Sequence, residues 1–146
     1  MNKVHILGLS MGGLVVQEIV LSHPKLVEKL VLVGTGPKGG QGIGCVAKVT
    51  NYSMLRALIT FKDIKYYLFF TSSQSSRTKA KEYLIRLKSR KKNRDKSIRL
   101  RSYNQQLKAT KRWSREEIDP LEEIKQPTLI INGTQILWSR QLIIMI

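Results

Sequence analysis

The chain has 146 residues, 42% of them hydrophobic, a formal net charge of +16 and one cysteine. That length is about one domain, and that apolar content supports a packed core, so wholesale disorder is excluded. Cys45 has no second cysteine to pair with, which excludes an intrachain disulfide and accords with a reducing compartment.

From the N-terminus, Met1-Asn2-Lys3 runs straight into the apolar Val4-His5-Ile6-Leu7-Gly8, too short for the core of a signal peptide. The closing run Leu142-Ile143-Ile144-Met145-Ile146 is much shorter than the roughly 20 residues that span a bilayer. We expect a cytoplasmic protein.

Val4–Leu9 predicts a buried parallel strand. Ser10-Met11-Gly12-Gly13 then opens a stretch in which Leu14, Val15, Gln17, Glu18, Val20 and Leu21 fall at helical spacing. Pro24 disfavours the α conformation in the residue before it, so this helix is expected to end near Ser22. Lys29-Leu30-Val31-Leu32-Val33 predicts a second buried strand, stopped by Gly34-Thr35-Gly36-Pro37. Strand, helix and strand in this order make a βαβ unit with a right-handed crossover and a parallel sheet.

Residues 38–44 hold four of the ten glycines and predict a loop. Helical patterns then run without a convincing strand to Lys111. Val46, Val49, Met54, Leu55 and Leu58 recur at helix-compatible intervals, as do Ile64, Tyr67 and Leu68. Ala80, Leu84 and Leu87 form a narrow apolar stripe, and Leu100, Tyr103 and Leu107 form another. Asp119-Pro120-Leu121-Glu122-Glu123-Ile124 leads back to Thr128-Leu129-Ile130-Ile131-Asn132-Gly133, a third predicted buried strand.

The charge is concentrated in the helical block. Between Arg77 and Arg112 stand fifteen Lys or Arg and two acids, Glu82 and Asp95. Such a block can attract phosphate backbones or anionic membranes, yet a run of this kind is more often a solvated helix face. No RNP, zinc or helix-turn-helix pattern accompanies it. Neither nucleic acid nor membrane is therefore expected as a partner, and a basic binding module using Lys79 to Arg112 stands as the alternative. No metal-ligand spacing occurs, and the glycine-rich loop lacks the phosphate-loop pattern, so no metal or cofactor is expected.

Gly8-Leu9-Ser10-Met11-Gly12 matches G-x-S-x-G, with the serine between a predicted strand and a predicted helix. A sharp turn there requires small neighbours, which Gly8 and Gly12 supply, and Gly13 suits a close approach of helix to strand. Ser10 is the candidate nucleophile. The Met11 N–H, at a helix N-terminus, is a candidate oxyanion donor. The competing reading makes Ser10 a helix N-cap and nothing more.

With its neighbours, this motif resembles the α/β-hydrolase superfamily. The likeness runs from Val4 through Ser10-Met11-Gly12-Gly13, His23-Pro24 and Leu30-Val31-Leu32-Val33-Gly34-Thr35 to Gly36, and resumes over Ile124-Lys125-Gln126-Pro127-Thr128-Leu129-Ile130-Ile131-Asn132-Gly133. It implies an α/β fold: a partial α/β-hydrolase fold of about three parallel strands, a flanking helix and a helical cap. It also implies three segments: a core strand, elbow, helix and strand over 1–37, the cap over 38–120, and a return to the core with a divergent tail over 121–146. Serine at the elbow points to the branch that hydrolyses esters or related acyl compounds, so a small acyl molecule is the implied substrate.

The resemblance also marks what departs. Ile136 occupies the place of the family's triad acid, and neither His5 nor His23 matches its catalytic histidine. The family's first strands and the loop giving its second oxyanion donor would precede Met1. We therefore expect a truncated, inactive hydrolase. Encoding residues 136–141 as ATA-TTA-TGG-TCC-CGA-CAA and shifting the frame by two bases gives Ile-Met-Val-Pro-Thr, the family's text after the acid. A frameshift just after Thr134 is the corresponding hypothesis. A further expectation is that Val4–Leu9, without a neighbour before it, leaves an apolar sheet edge prone to aggregation.

Overall fold

The computed structural model describes residues 3–93, 96 and 98–133. Thr134, Ile136 and the apolar tail lie outside the described residues. The chain divides into two compact units, one built from the first 46 residues together with Leu107 onward, the other from Ala47–Gln106.

The first unit contains a parallel sheet in the order β1 (Val4–Leu9), β2 (Val27–Val33), β3 (Thr128–Ile131). Helix α1 (Met11–Ser22) connects β1 to β2. It ends where Pro24 requires, with His23 as C-cap donating its N–H to the Ile19 carbonyl at 2.8 Å. β2 begins at Val27, two residues earlier than its apolar run suggests, because Val27 already pairs with Val4 and lies in the core.

Alternation along the strands decides where that core lies. Leu30 and Leu32 of β2 face Val16 and Val20 of α1, with Val27 completing the buried set. Ile6 from β1 and Ile130 from β3 pack against it from either side. Leu30 and Val20 are each 1% exposed. Truncating a leucine so placed costs about 2–5 kcal/mol.

The opposite face carries Leu7 and Leu9 of β1, exposed, and their register mates Val31 and Val33 of β2. Leu129 and Ile131 of β3 extend this face and are also exposed. The expectation that β1 and β3 are buried strands is therefore corrected. Both are outer strands of the described sheet, and α1 covers one face only. Among β1 residues Gly8 alone is fully buried.

The glycine-rich loop also departs from expectation, because Gln41–Gly44 winds into a short helix, α2. Its neighbours explain why residues 38–46 stay with the first unit: the Gly39 N–H donates to the Trp113 carbonyl at 3.0 Å, and Gly44 lies against Ser114. The second compact unit accordingly begins at Ala47 and runs to Gln106.

Among the described residues four further α-helices follow, α3 (Val46–Thr60), α4 (Ile64–Leu68), α5 (Gln74–Ser89) and α6 (Leu100–Trp113), and then a 3-10 turn at Leu121–Glu123. Asp63 caps α4 by accepting the Lys65 N–H at 3.0 Å, and Ser73 caps α5 by accepting the Ser76 N–H at 3.2 Å. The buried residues of α3 are Thr50, Ser53 and Ala57, and α5 buries Ala80 alone. This unit keeps small side chains inside and leaves many large apolar ones outside.

Candidate functional site

The turn between β1 and α1 is sharp and strained. Ser10 has φ 52° and ψ −121°, a left-handed conformation that L-residues rarely adopt. Two backbone hydrogen bonds hold it there: the Ser10 N–H donates to the Val33 carbonyl at 2.8 Å, and the Gly13 N–H donates to the Ser10 carbonyl at 2.9 Å. The first bond anchors the turn to the end of β2, and the second starts the helix.

The Ser10 side chain makes no capping hydrogen bond to α1, and the residue is exposed. A serine serving only as N-cap would sit in the β region with its oxygen bonded to an N–H one turn on. The observed geometry is the wrong one for that role. The hydroxyl is left at the C-terminal tip of the sheet, at the N-terminal end of a helix whose Met11 N–H has no carbonyl one turn before it to bond. Aligned peptide dipoles make that end attractive to negative charge.

Tight packing behind the turn falls on Gly8 and Gly13. A β-carbon on Gly8 would stand 2.6 Å from the Gly13 Cα, and one on Gly13 would stand 2.5 Å from the Thr35 side chain. Gly12 is different. Its position opens onto space with nothing within 4 Å, so the expectation that a small residue is needed there for the turn to close does not hold.

Two polar side chains hold the surroundings, and neither stood out in the sequence. Gln17 is buried in α1 and its Nε2 donates to the carbonyls of Gly13, at 2.9 Å, and Gly36, at 3.1 Å. It thereby ties the first turn of the helix to the loop after β2. Lys38 extends the tie: its ammonium pairs with Glu18 of α1 and with Asp119 at 3.0 Å, lies 3.9 Å from Glu116, and sits 4.9 Å above the Trp113 ring. The hydrogen bonds it donates to the Glu18 and Asp119 carboxylates raise its pKa above the ordinary 10.5 against the opposing effect of burial.

The histidines lie elsewhere. His5 is five residues back along an extended strand, roughly 16 Å from Ser10, and its Nε2 pairs with Glu28 at 3.2 Å. His23 lies beyond the far end of α1, roughly 18 Å away, with its Nδ1 3.0 Å from the Ser22 hydroxyl. Neither can take a proton from Ser10. Ile136, the residue at the expected acid position, is outside the described residues. No group of three or more His, Cys, Asp or Glu able to hold a metal ion occurs among the described residues, and none of their helices is long and apolar enough to cross a membrane.

Comparison with known proteins bears on this geometry. The sequence profile of the family described as "Serine aminopeptidase, S33" matches residues 1–135. An α/β-hydrolase fold protein from Chitinophaga pinensis superposes with a TM-score of 0.77 at 24% identity, over 88% of this chain and 46% of that one. This chain thus spans about half the length of that protein, and the parallel strands with their flanking helices constitute a partial α/β-hydrolase fold. No curated protein sequence matches.

Proposed function

The chain belongs to the serine aminopeptidase S33 family of α/β-hydrolases, and from that premise we propose that Ser10 is the nucleophile position of an acyl hydrolase. The observation that carries this reading is the Ser10 backbone, with φ 52° and ψ −121° between β1 and α1. Hydrolases that use a nucleophile elbow need such a turn to lift the hydroxyl clear of the sheet. Gly8 and Gly13 support the same reading, because their backbone packing lets strand and helix approach closely enough for the turn to form.

In such an enzyme the hydroxyl oxygen attacks the carbonyl carbon of an ester or related acyl compound. A histidine accepts the hydroxyl proton as the bond forms and then donates it to the leaving group. The Met11 N–H is the proposed donor to the carbonyl oxygen as it gains negative charge. No cofactor is required.

The proton acceptor is what this sequence lacks. His5 and His23 are both too far from Ser10, and Ile136 at the acid position can neither orient nor charge-stabilise an imidazole. An unassisted serine hydroxyl is a weak nucleophile at neutral pH. The chain on its own is therefore proposed to be catalytically silent, with the insertion after β2 as its cap.

Treating the purified chain with a fluorophosphonate tests both parts. The expected result is no Ser10 adduct at an enzymatic rate. Rapid labelling, abolished in Ser10→Ala, overturns the silence and keeps the nucleophile. Reading the nucleotide sequence tests the origin of the tail: a Val-Pro-Thr reading frame after codon 134 supports a frameshift, and its absence removes that explanation.

A further inference from the structure

The corner between α3 and α4 presents its chemistry outward. Helix α3 ends in a Schellman arrangement: the Lys62 N–H donates to the Ala57 carbonyl at 3.1 Å, and the Phe61 N–H to the Leu58 carbonyl at 3.4 Å. The residue at the left-handed position of this motif is normally glycine, because a β-carbon there is strained. Here it is Phe61, with φ 53°. Its ring contributes nothing to the interior, for the residue is 97% exposed.

The helix leading to it is inverted relative to an ordinary surface helix. Thr50, Ser53 and Ala57 face inward, while Leu55, Leu58 and Ile59 are exposed. Surface helices of water-soluble proteins put the larger apolar residues inside. Around this apolar tip stand cations resting on aromatic rings: Lys62 lies 4.6 Å over Tyr66, and Arg56 lies 4.6 Å over Tyr67. The Tyr67 hydroxyl is held 2.8 Å from Thr60 Oγ1.

Charge reinforces the pattern. Residues 47–106 contain sixteen of the chain's 26 Lys and Arg and three of its ten acids. A charge run alone does not separate a solvated face from a docking face, which is why sequence favoured the solvated one. An apolar tip ringed by tyrosine and cations does separate them. At the apolar tip the Phe61 ring alone could stack on a base, but the aliphatic Leu58 and Ile59 beside it cannot. All three can enter the acyl boundary of a bilayer while tyrosine and lysine meet its headgroups.

We propose that the α3–α4 corner docks on an anionic lipid bilayer, with Phe61, Leu58 and Ile59 entering the interface and Lys62 and Arg56 meeting lipid phosphates. The inference is independent of whether Ser10 reacts. Phe61 also provides a clean test, since replacing it with glycine removes the ring and relieves the backbone at once.

The experiment is co-sedimentation of the full chain with vesicles of phosphatidylcholine alone, or with one third phosphatidylserine, alongside thermal melts. Wild type is expected to bind the anionic vesicles, more weakly as salt rises, and to bind the neutral ones poorly. Phe61→Gly should melt roughly 2–4 °C higher, yet bind anionic vesicles about tenfold or more weakly. Lys62→Glu should weaken the same binding roughly fivefold or more, because each cation near an anionic surface contributes on that scale. Anionic binding untouched by Phe61→Gly overturns the proposal. So does a wild-type chain that ignores the vesicles, including one that instead binds a short RNA strand or self-associates through Phe61.

Discussion

Gly8 and Gly13 meet backbone to backbone: a β-carbon on Gly8 would lie 2.6 Å from the Gly13 Cα and 2.9 Å from the Gly13 nitrogen. Neither contact can yield by rotating a side chain. The strand before the turn and the helix after it are therefore fixed against each other by the absence of side chains, and Ser10 is held in a conformation it would not choose.

Gly8→Ala should consequently cost about 3 kcal/mol or more, at the upper end of what overpacking does. Gly13→Ala should cost a comparable amount, and trimming Thr35 to alanine should recover little, because the Thr35 Cβ itself lies 2.6 Å from the new carbon. Gly12→Ala, facing open space, should be nearly neutral or slightly stabilising through its helix propensity. Urea midpoints of the three variants check the order.

Ser10→Gly should stabilise the chain by about 1 kcal/mol, because glycine adopts a positive φ without a β-carbon penalty. Ser10→Ala keeps the β-carbon and should leave stability nearly unchanged, the hydroxyl having no capping bond to lose. Equal melting temperatures for the glycine and alanine variants would mean that the turn stores no strain.

Lys38 gives the molecule a stability term that disappears at high pH. Its side chain is 13% exposed, and its partners raise its pKa above 10.5. A group with a raised folded-state pKa contributes fully below its unfolded-state value and loses that contribution as pH climbs through the folded-state pKa. Lys38→Met should cost roughly 2 kcal/mol near neutrality. The gap between wild type and variant should close above pH 10.5. Denaturant titrations at neutral and strongly alkaline pH measure the closing.

Asp63 acts in the opposite direction. Burial pushes its pKa up, but the Lys65 N–H and ammonium outweigh that and leave it below the ordinary 3.8. Its stabilisation is present above the unfolded-state value and is lost as pH falls through the depressed folded-state one. Asp63→Asn keeps a capping oxygen and should flatten this acid limb, whereas Asp63→Ala should cost about 1 kcal/mol at neutral pH. Helix content followed by circular dichroism between pH 5 and pH 2 distinguishes the two.

The parts of the fold that were legible in the sequence are those written in short-range punctuation. Pro24 ends α1 and Gly34 follows β2, while the β1–Ser10–α1 transition is spelled by residues that touch one another in sequence. What the sequence concealed depends on distant partners. Leu7 and Leu129 read as core because they are apolar, yet burial needs a covering layer, and α1 covers the other face. Lys38 reads as one cation among 26, and only folding brings Asp119 to it across 81 positions. Gln17 was visible as a helical residue, but its two carbonyl partners at Gly13 and Gly36 were not. Phe61 carried no signal at all, since nothing in its neighbours announces a left-handed residue.

The order of strands in the sheet has a consequence for how the molecule comes to exist. β1 and β2 are separated by a single helix and can associate early, whereas β3 reaches β2 only after roughly a hundred further residues have been made, with the loop-closure entropy that implies. During synthesis the outer rim of β2, from Leu30 to Val33, must wait with its amides and carbonyls unanswered until Thr128–Ile131 emerges. That interval, rather than any property of the finished fold, is when a chaperone would have most to do.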